Sequence, residues 1–321
     1  MLVSIIVPCY NHSRYLQDRL QSIFNQNYQN FELILLDDAS PDESSKILKS
    51  YKNHPKVSHC IINEKNSGST FHQWNKGISL SKGELIWIAE SDDIANEFFL
   101  EILVNQFIIN KNLVLAYSES FRMDSNGNIT GDWRDHTLNI DNNLFSSNFT
   151  IDGLDYIRRC FSNKNTIPNA SGVIFKKQAF LEVGGANPIL KLIGDWDIWY
   201  KILSKGQIYY HYQCLNYFRY HDNSVIAIAF KESNNPIESR LQGIHFYKNL
   251  YYFFKNENTI KNKLKKSLHK AIKDTIFLAK EDPIKYSEEI KFAKLTRFIF
   301  FKLKYILLTF AILFIILISI I

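Results

Sequence analysis

The apolar run Leu85-Ile86-Trp87-Ile88-Ala89 breaks off into Glu90-Ser91-Asp92-Asp93, and this abrupt change constrains the fold more than any other stretch. A short, continuous apolar run stopped by turn residues suits a strand covered on both faces, the usual state of strands in parallel sheets layered between helices. Acids at the carboxyl end of such a strand stand where open α/β sheets bind their ligands. Three carboxylates within four residues repel one another unless a cation or a hydrogen-bonded ligand compensates. Oxygen-rich clusters of this kind suit Mg2+ or Mn2+, held by one or two carboxylates together with phosphate oxygens. A solvated acidic turn starting a helix at Ile94 is the plainer alternative.

The preceding residues repeat the theme. Leu2 to Val7 is a β-branched run stopped by Pro8, and Phe31 to Leu36 is a buried strand ending in Asp37-Asp38. Val57 to Ile62 reads as another strand. Arg14 to Asn25, Ser44 to Tyr51 and Phe71 to Leu80 carry helical spacing between these strands. Strands separated by helices of about ten residues imply βαβ units, and therefore a mostly parallel, Rossmann-like sheet with right-handed crossovers. The strand ends at Pro8-Cys9-Tyr10-Asn11, Asp37-Asp38 and Glu90 to Asp93 then line one edge and a single crevice. No Walker pattern or GxGxxG follows the first strand, which disfavours P-loop and dinucleotide folds.

Past Ser118 the pattern weakens, and Ser118 to Phe149 reads as a polar surface segment or flap. Structured signals resume with a strand at Ser171 to Phe175, a helix to Val183, and a helix from Asp195 with that residue at or near its cap. An extended stretch follows from Ile208 to Tyr220. Residues Ile237 to Lys280 return to helical spacing. His72 and Gln73 read as surface residues of their helix.

The 46% hydrophobic content in 321 residues excludes a disordered chain and allows an ample core. The net charge of +6 is concentrated in the last third, which suggests an anionic membrane surface or a polyphosphate partner. No recognition motif accompanies the basic stretches, so nucleic acid is not expected as a partner. Cys9, Cys60, Cys160 and Cys214 are scattered without metal spacing, as reduced thiols of a cytosolic protein would be. No signal peptide is expected, since Met1 leads directly into a strand. From Phe298 to Ile321 the chain is almost wholly apolar, interrupted only by Lys302 and Lys304. That length approaches a bilayer span. With Lys291, Lys294 and Arg297 ahead of it, the segment predicts a C-terminal anchor on the cytoplasmic face of the membrane.

Set in order, ten short motifs resemble family 2 inverting glycosyltransferases of the GT-A nucleotide-diphospho-sugar transferase fold. They are Val3-Ser4-Ile5-Ile6-Val7-Pro8-Cys9-Tyr10-Asn11, Leu36-Asp37-Asp38-Ala39-Ser40, Asn66-Ser67-Gly68, Asn75-Lys76-Gly77, Lys82-Gly83-Glu84 and Glu90-Ser91-Asp92-Asp93, then Gly172-Val173-Ile174-Phe175, Gly184-Gly185, Gly194-Asp195-Trp196-Asp197 and Arg219-Tyr220-His221. The resemblance covers about residues 1 to 225. It implies that Pro8, Tyr10, Asn11 and Asp38 hold the nucleotide base, where a carboxylate can accept the imide N–H of uracil or thymine. It implies that Glu90 and Asp92 contact the nucleotide, that Asp92, Asp93 and His221 hold Mn2+ or Mg2+, and that Asp195 is the base that activates the acceptor. Asp37 is expected to hold its loop, and Asp197 is a weaker candidate base.

Three positions depart from the family pattern: Glu90 stands where Asp is usual, Gly194 replaces an acid before Asp195, and Trp74 replaces an Arg before Asn75, which leaves Lys76 as a possible diphosphate cation. The expected architecture is a nucleotide-sugar-binding half (1–118), an acceptor-binding half of the same domain (119–235), a helical extension (236–297) and an anchor (298–321). The expected activity moves a sugar from a UDP- or dTDP-sugar to a glycan or lipid-linked acceptor with inversion, in cell-surface polysaccharide synthesis. A sugar-phosphate nucleotidyltransferase and a non-catalytic membrane scaffold of glycan assembly are the alternatives.

Overall fold

A computed structural model describes residues 1–221, 224, 237–280 and 287–301. The chain divides into two compact units, Met1–Ser224 and Val225–Ile321.

The first unit is built on a ten-stranded sheet. Its strands are β1 (Val3–Cys9), β2 (Phe31–Asp37), β3 (Val57–Ile62), β4 (Leu85–Ile88), β5 (Ile94–Ala95), β6 (Leu113–Met123), β7 (Ile129–Asp132), β8 (Phe149–Asp152), β9 (Val173–Lys176) and β10 (Gln207–Arg219). The spatial order is β3-β2-β1-β4-β9-β6-β10-β5, with β7 beside β6 and β8 beside β10. The β3-β2-β1-β4 half is parallel, as the alternation of strands and helices predicts. Beyond it the sheet is mixed and the expectation of a mostly parallel sheet holds only in part, since β6 and β10 pair in parallel while the remaining pairs do not. β9 runs antiparallel to both β4 and β6, and β5, β7 and β8 are also antiparallel to their neighbours.

Helices α1 (Ser13–Phe24), α2 (Ser44–Ser50) and α3 (Thr70–Leu80) pack around the parallel half, and α4 (Phe99–Ile109) packs on β6 and β10. Leu16, Leu20 and Ile23 recur along one stripe of α1 and are all fully buried. Each contributes about 1.5–3 kcal/mol by leaving water. α3 approaches β1 so closely that a Cβ at Gly77 would lie 2.5 Å from Ile6 Cγ2, so glycine there sets the depth of that packing.

The polar segment after Ser118 is not a flap at its start. β6 continues through it to Met123, with Ser118, Glu119 and Ser120 at most 1% exposed. Buried polar side chains interrupt the apolar pattern, and neighbouring side chains partner two of them: Tyr210 Oη donates to Glu119 Oε2 at 3.0 Å and Asn169 Nδ2 to Ser120 Oγ at 2.9 Å. β6 also spans the expected division at 118/119, so both halves of the unit share one sheet.

After α5 (Arg134–Leu138), α6 (Asn142–Phe145), α7 (Gly153–Tyr156) and α8 (Lys177–Glu182), helix α9 (Gly194–Leu203) packs back toward β6. In the second unit, α10 (Ile237–Phe253), α11 (Asn258–Leu278) and α12 (Ser287–Phe301) share a small core of Ile244, Leu268, Ile272 and Ala293. Among the described residues no helix is long and apolar enough to cross a membrane. The expected anchor falls almost wholly on residues 302–321, outside the described residues.

Candidate functional site

Two strand-end loops form the first wall. β1 runs through buried Pro8 into exposed Tyr10 and Asn11, and β2 ends at Asp37 and Asp38. The loops are tied by Asp38 N–H donating to Cys9 O at 2.9 Å and Asn11 N–H to Ser40 Oγ at 3.0 Å. Asn11 and Ala39 both take left-handed backbone, φ 59° and 60°, a conformation that costs about 1–2 kcal/mol for a residue with a side chain. Asp37 holds its own loop, accepting Ser40 N–H at 3.0 Å.

Asp38 is more committed to the protein than its expected role requires. Oδ1 accepts from Asn63 Nδ2 and Gln73 Nε2, and Oδ2 from Ser67 Oγ, at 2.7–2.8 Å. Gln73 is therefore 3% exposed and a partner of Asp38, which corrects its reading as a surface residue; His72 is exposed. Lys76 donates to Asn63 Oδ1 at 2.6 Å and so reinforces the same network.

The acid cluster follows β4 and separates into three different environments. Asp92 Oδ2 accepts from His221 Nε2 at 3.0 Å. Burial opposes its ionisation, but the charge of His12 and the His221 contact outweigh it and hold Asp92 below the usual carboxylate range. Asp93 turns away: it is 2% exposed, and its Oδ1 accepts Arg219 N–H at 2.8 Å. Burial and then the Asp92 charge push it upward. Glu90 accepts the indole N–H of Trp74 at 2.9 Å, and burial and then Asp92 raise it to about 8. Ionisation is favoured at Asp92 and disfavoured at Glu90 and Asp93, which lessens the repulsion that the sequence implies.

Two arginines brace this turn. Arg19, fully buried on α1, donates Nε–H to Glu90 O at 2.9 Å and lies over the Trp87 ring at 5.0 Å. Arg219 at the end of β10 donates Nε–H to Asp92 O at 2.7 Å and stacks on Tyr15 at 4.6 Å. The Arg219 anchorage carries β10 directly into His221.

Asp92, His221 and His12 present ligand atoms that all lie within 4.8 Å of one another. This set of two imidazoles and a carboxylate could hold a divalent cation. The expected set of Asp92, Asp93 and His221 is thus brought together only in part, with Asp93 facing the Arg219 backbone. Sequence reasoning missed His12, although its position on the first strand-end loop, directly after Asn11, was a usable signal.

Asp195 is the second residue of α9, one position inside the helix and not its cap, which is Ile193. Burial raises it to about 7 despite the nearby backbone N–H groups of the helix start; here desolvation outweighs the favourable end of the helix dipole. Asp197 is buried and paired with Lys201 at 2.5 Å, which leaves it the weaker of the two candidate bases. Gly194 has a steric origin: a Cβ there would lie 2.5 Å from Phe71 Cε2. Phe71 packs edge-on against Trp74 at 4.9 Å, so the start of α9 connects to Glu90 through Phe71 and Trp74.

A model of glycosyl transferase family 2 matches residues 4–174. GlyG, a glycosyltransferase of Streptococcus pneumoniae serotype 4, is 41% identical over 33% of this chain, a match that spans only 35% of GlyG. TuaG of Bacillus subtilis, a glycosyltransferase named for teichuronic acid biosynthesis, is 24% identical over 82% of this chain and 98% of its own length. In fold, the chain is similar to Staphylococcus aureus TarS 1–349 solved with UDP-GlcNAc (TM-score 0.65, 17% identity, 91% of this chain and 79% of that one). It is also similar to the mannosyltransferase PcManGT of Pyrobaculum calidifontis solved with GDP-Man and Mn2+ (TM-score 0.55, 13% identity, 87% and 75%). The family match covers more than half of the sequence, including both strand-end loops and the acid cluster: the chain belongs to glycosyl transferase family 2.

Proposed function

We propose that this chain transfers a sugar from a UDP- or dTDP-sugar to a hydroxyl of a glycan or lipid-linked acceptor, with inversion, in the synthesis of a cell-surface polysaccharide. One observation carries the reading: Asp92 is held ionised beside His221, while Asp195, half-buried at the start of α9, is raised to about 7, and Phe71 and Trp74 join the start of α9 to Glu90 of the acid cluster. Family membership supports the reaction type. UDP-GlcNAc on the similar TarS fold and the teichuronic acid link of TuaG support the donor and product classes. A nucleotidyltransferase would need a triphosphate-gripping basic loop after β1, and the family match speaks against it.

In this mechanism Pro8, Tyr10, Asn11 and Asp38 border the base, and Glu90 faces the ribose. Protonated, Glu90 can donate a hydrogen bond while Trp74 fixes its other oxygen. Asp92 and His221 hold Mn2+ or Mg2+, which when bound neutralises charge on the departing diphosphate. Asp195 accepts the acceptor hydroxyl proton as that oxygen bonds to the anomeric carbon and the sugar–phosphate bond breaks on the opposite face. A base near 7 is matched to this task at neutral pH.

We also propose that the protein works at the cytoplasmic membrane face, anchored through its apolar C-terminal sequence. Exposed Lys266, Lys270 and Lys273 share one face of α11 with Phe277, 69% exposed. A basic face with an aromatic anchor suits anionic lipid.

The test of the reaction is release of nucleoside diphosphate from a panel of NDP-sugars, with and without Mn2+. Cation-dependent release from a UDP- or dTDP-sugar is expected. Pyrophosphate chemistry in place of it, or no turnover of any donor, would overturn the reading.

A further inference from the structure

We propose that His12 is a metal ligand, so that the cation sits between two imidazoles and one carboxylate and is Mn2+ in preference to Mg2+. The inference rests on the glycosyl-transfer reading for the identity of the cation's diphosphate partner, but not for the cage itself.

The geometry is specific. His12, Asp92 and His221 come from three distant parts of the chain: the β1–α1 loop, the β4–β5 turn and the residues after β10. Their ligand atoms nevertheless converge to within 4.8 Å. Two ligand atoms each ~2.1 Å from one ion stand about 3 Å apart when adjacent in an octahedron, and Asp92 Oδ2 and His221 Nε2 are already 3.0 Å apart.

His12 is oriented in the manner of a ligand. Its Nδ1 lies 2.8 Å from Ser91 Oγ. With Nδ1 as donor to that hydroxyl, Nε2 carries the lone pair, the arrangement by which an outer partner sets the tautomer of a metal-bound imidazole. Its backbone is fixed too, since His12 N–H donates to Ser44 Oγ at 3.1 Å. The two imidazole rings meet edge to face at 5.3 Å, and Tyr15 packs on His221 at 4.8 Å, so neither ring is placed by Asp92 alone.

The donor set decides the cation. Mg2+ favours oxygen ligands and keeps several waters, whereas two imidazoles with a carboxylate would supply the nitrogen donors that divalent transition metals accept more readily. Binding of both nitrogens therefore separates Mn2+ from Mg2+ more strongly than Asp92 with a single imidazole would.

The measurement is Mn2+ binding to the full-length protein, followed by the electron paramagnetic resonance of free Mn2+ and by the nitrogen modulation of the bound ion. Wild type should show two coupled imidazole nitrogens and His12→Gln one, with affinity reduced at least ~10-fold, the lower range even for loss of an outer partner. Ser91→Ala should keep both nitrogens and weaken binding. Mg2+ should displace Mn2+ from wild type only in large excess, and far more easily from His12→Gln. A wild-type signal with one nitrogen, or two nitrogens that persist in His12→Gln, would overturn the proposal. A one-nitrogen wild type overturns the proposal without any variant, and if His12→Gln fails to fold, His12→Ala supplies the same comparison. UDP-sugar turnover by the same preparations separates the two readings. Turnover with one coupled nitrogen sinks the His12 ligand and leaves the transferase. Two nitrogens without turnover of any NDP-sugar sink the transferase and leave the cage.

Discussion

The indole nitrogen of Trp74 donates to Oε1 of Glu90 across 2.9 Å, so two departures from the family pattern are one contact. Where the pattern has an Arg and an Asp, this chain has a longer acid meeting a large, neutral donor. The longer carboxyl reaches the indole, and the indole, 1% exposed, cannot turn to solvent for another partner.

The pair should therefore show energetic coupling. Trp74→Phe removes the donor while keeping most of the ring, and Glu90→Asp withdraws the acceptor by one methylene. Each single change should cost about 1–3 kcal/mol, because a buried polar group loses its partner. The double variant should cost less than the sum, with a coupling of at least ~0.5 kcal/mol. Urea unfolding of the four proteins measures it. Strict additivity would mean that the contact contributes nothing, and that the two departures are independent.

Asp195 gives the pH dependence. Only its ionised form can take the acceptor proton, so transfer should be low below about 7 and rise through that value to a plateau. Asp195→Asn should lose at least ~10²-fold in transfer, the lower range for general-base catalysis, while binding donor nearly normally. Stability moves the other way. The folded value lies above the ordinary 3.8, so the stabilising protonated form is complete below that ordinary value and is lost as pH rises through about 7. The Asn variant escapes that loss and should have the higher Tm at pH 8. An active Asp195→Asn enzyme, or one with a lower Tm at pH 8, would contradict the assignment.

Within the acid cluster the two aspartates should behave differently. Asp92→Asn removes the charge beside His221 and should cut turnover by about 10²–10³-fold, the scale for one well-placed electrostatic group. It should also abolish stabilisation by Mn2+ with UDP. Asp93→Asn keeps an oxygen able to accept Arg219 N–H and should leave most of the cation response intact. Thermal shift with and without Mn2+ and UDP distinguishes them; equal loss in both variants would return Asp93 to the metal.

This difference marks how much of the site could be read from the sequence. The parallel half of the sheet and the acid-bearing strand end were legible because they rest on apolar runs and local turn residues. The antiparallel insertion of β9 was not, since pairing partners so far apart in sequence leave no periodicity to read. β6 was not legible, and the stretch from Ser118 reads as a surface segment because it is polar yet buried, with Glu119 and Ser120 partnered by Tyr210 and Asn169 from other elements. Gly194 read as a missing acid, and only the Phe71 ring, 2.5 Å from where a Cβ would sit, gives the steric reason. His12 was overlooked because His221, its partner in the cage, lies over two hundred residues away.

The C-terminal sequence gives the last prediction. Cutting the chain before α12 would remove Ala293, which is fully buried with Ile244, Leu268 and Ile272, and would confound loss of an anchor with loss of a core. A truncation after Phe301 keeps that core and removes only residues 302–321. If the apolar sequence supplies the bilayer affinity, the truncated protein should leave the membrane fraction at moderate salt. It should keep binding to anionic vesicles at low salt through Lys266, Lys270 and Lys273, each worth ~1 kcal/mol near such a surface. Donor hydrolysis should persist, while transfer to a lipid-linked acceptor should fall, because the anchor acts by raising local acceptor concentration. Fractionation of both forms across a salt series is decisive. Full-length protein in the soluble fraction, or a truncated form that resists high salt, would leave the anchor without support.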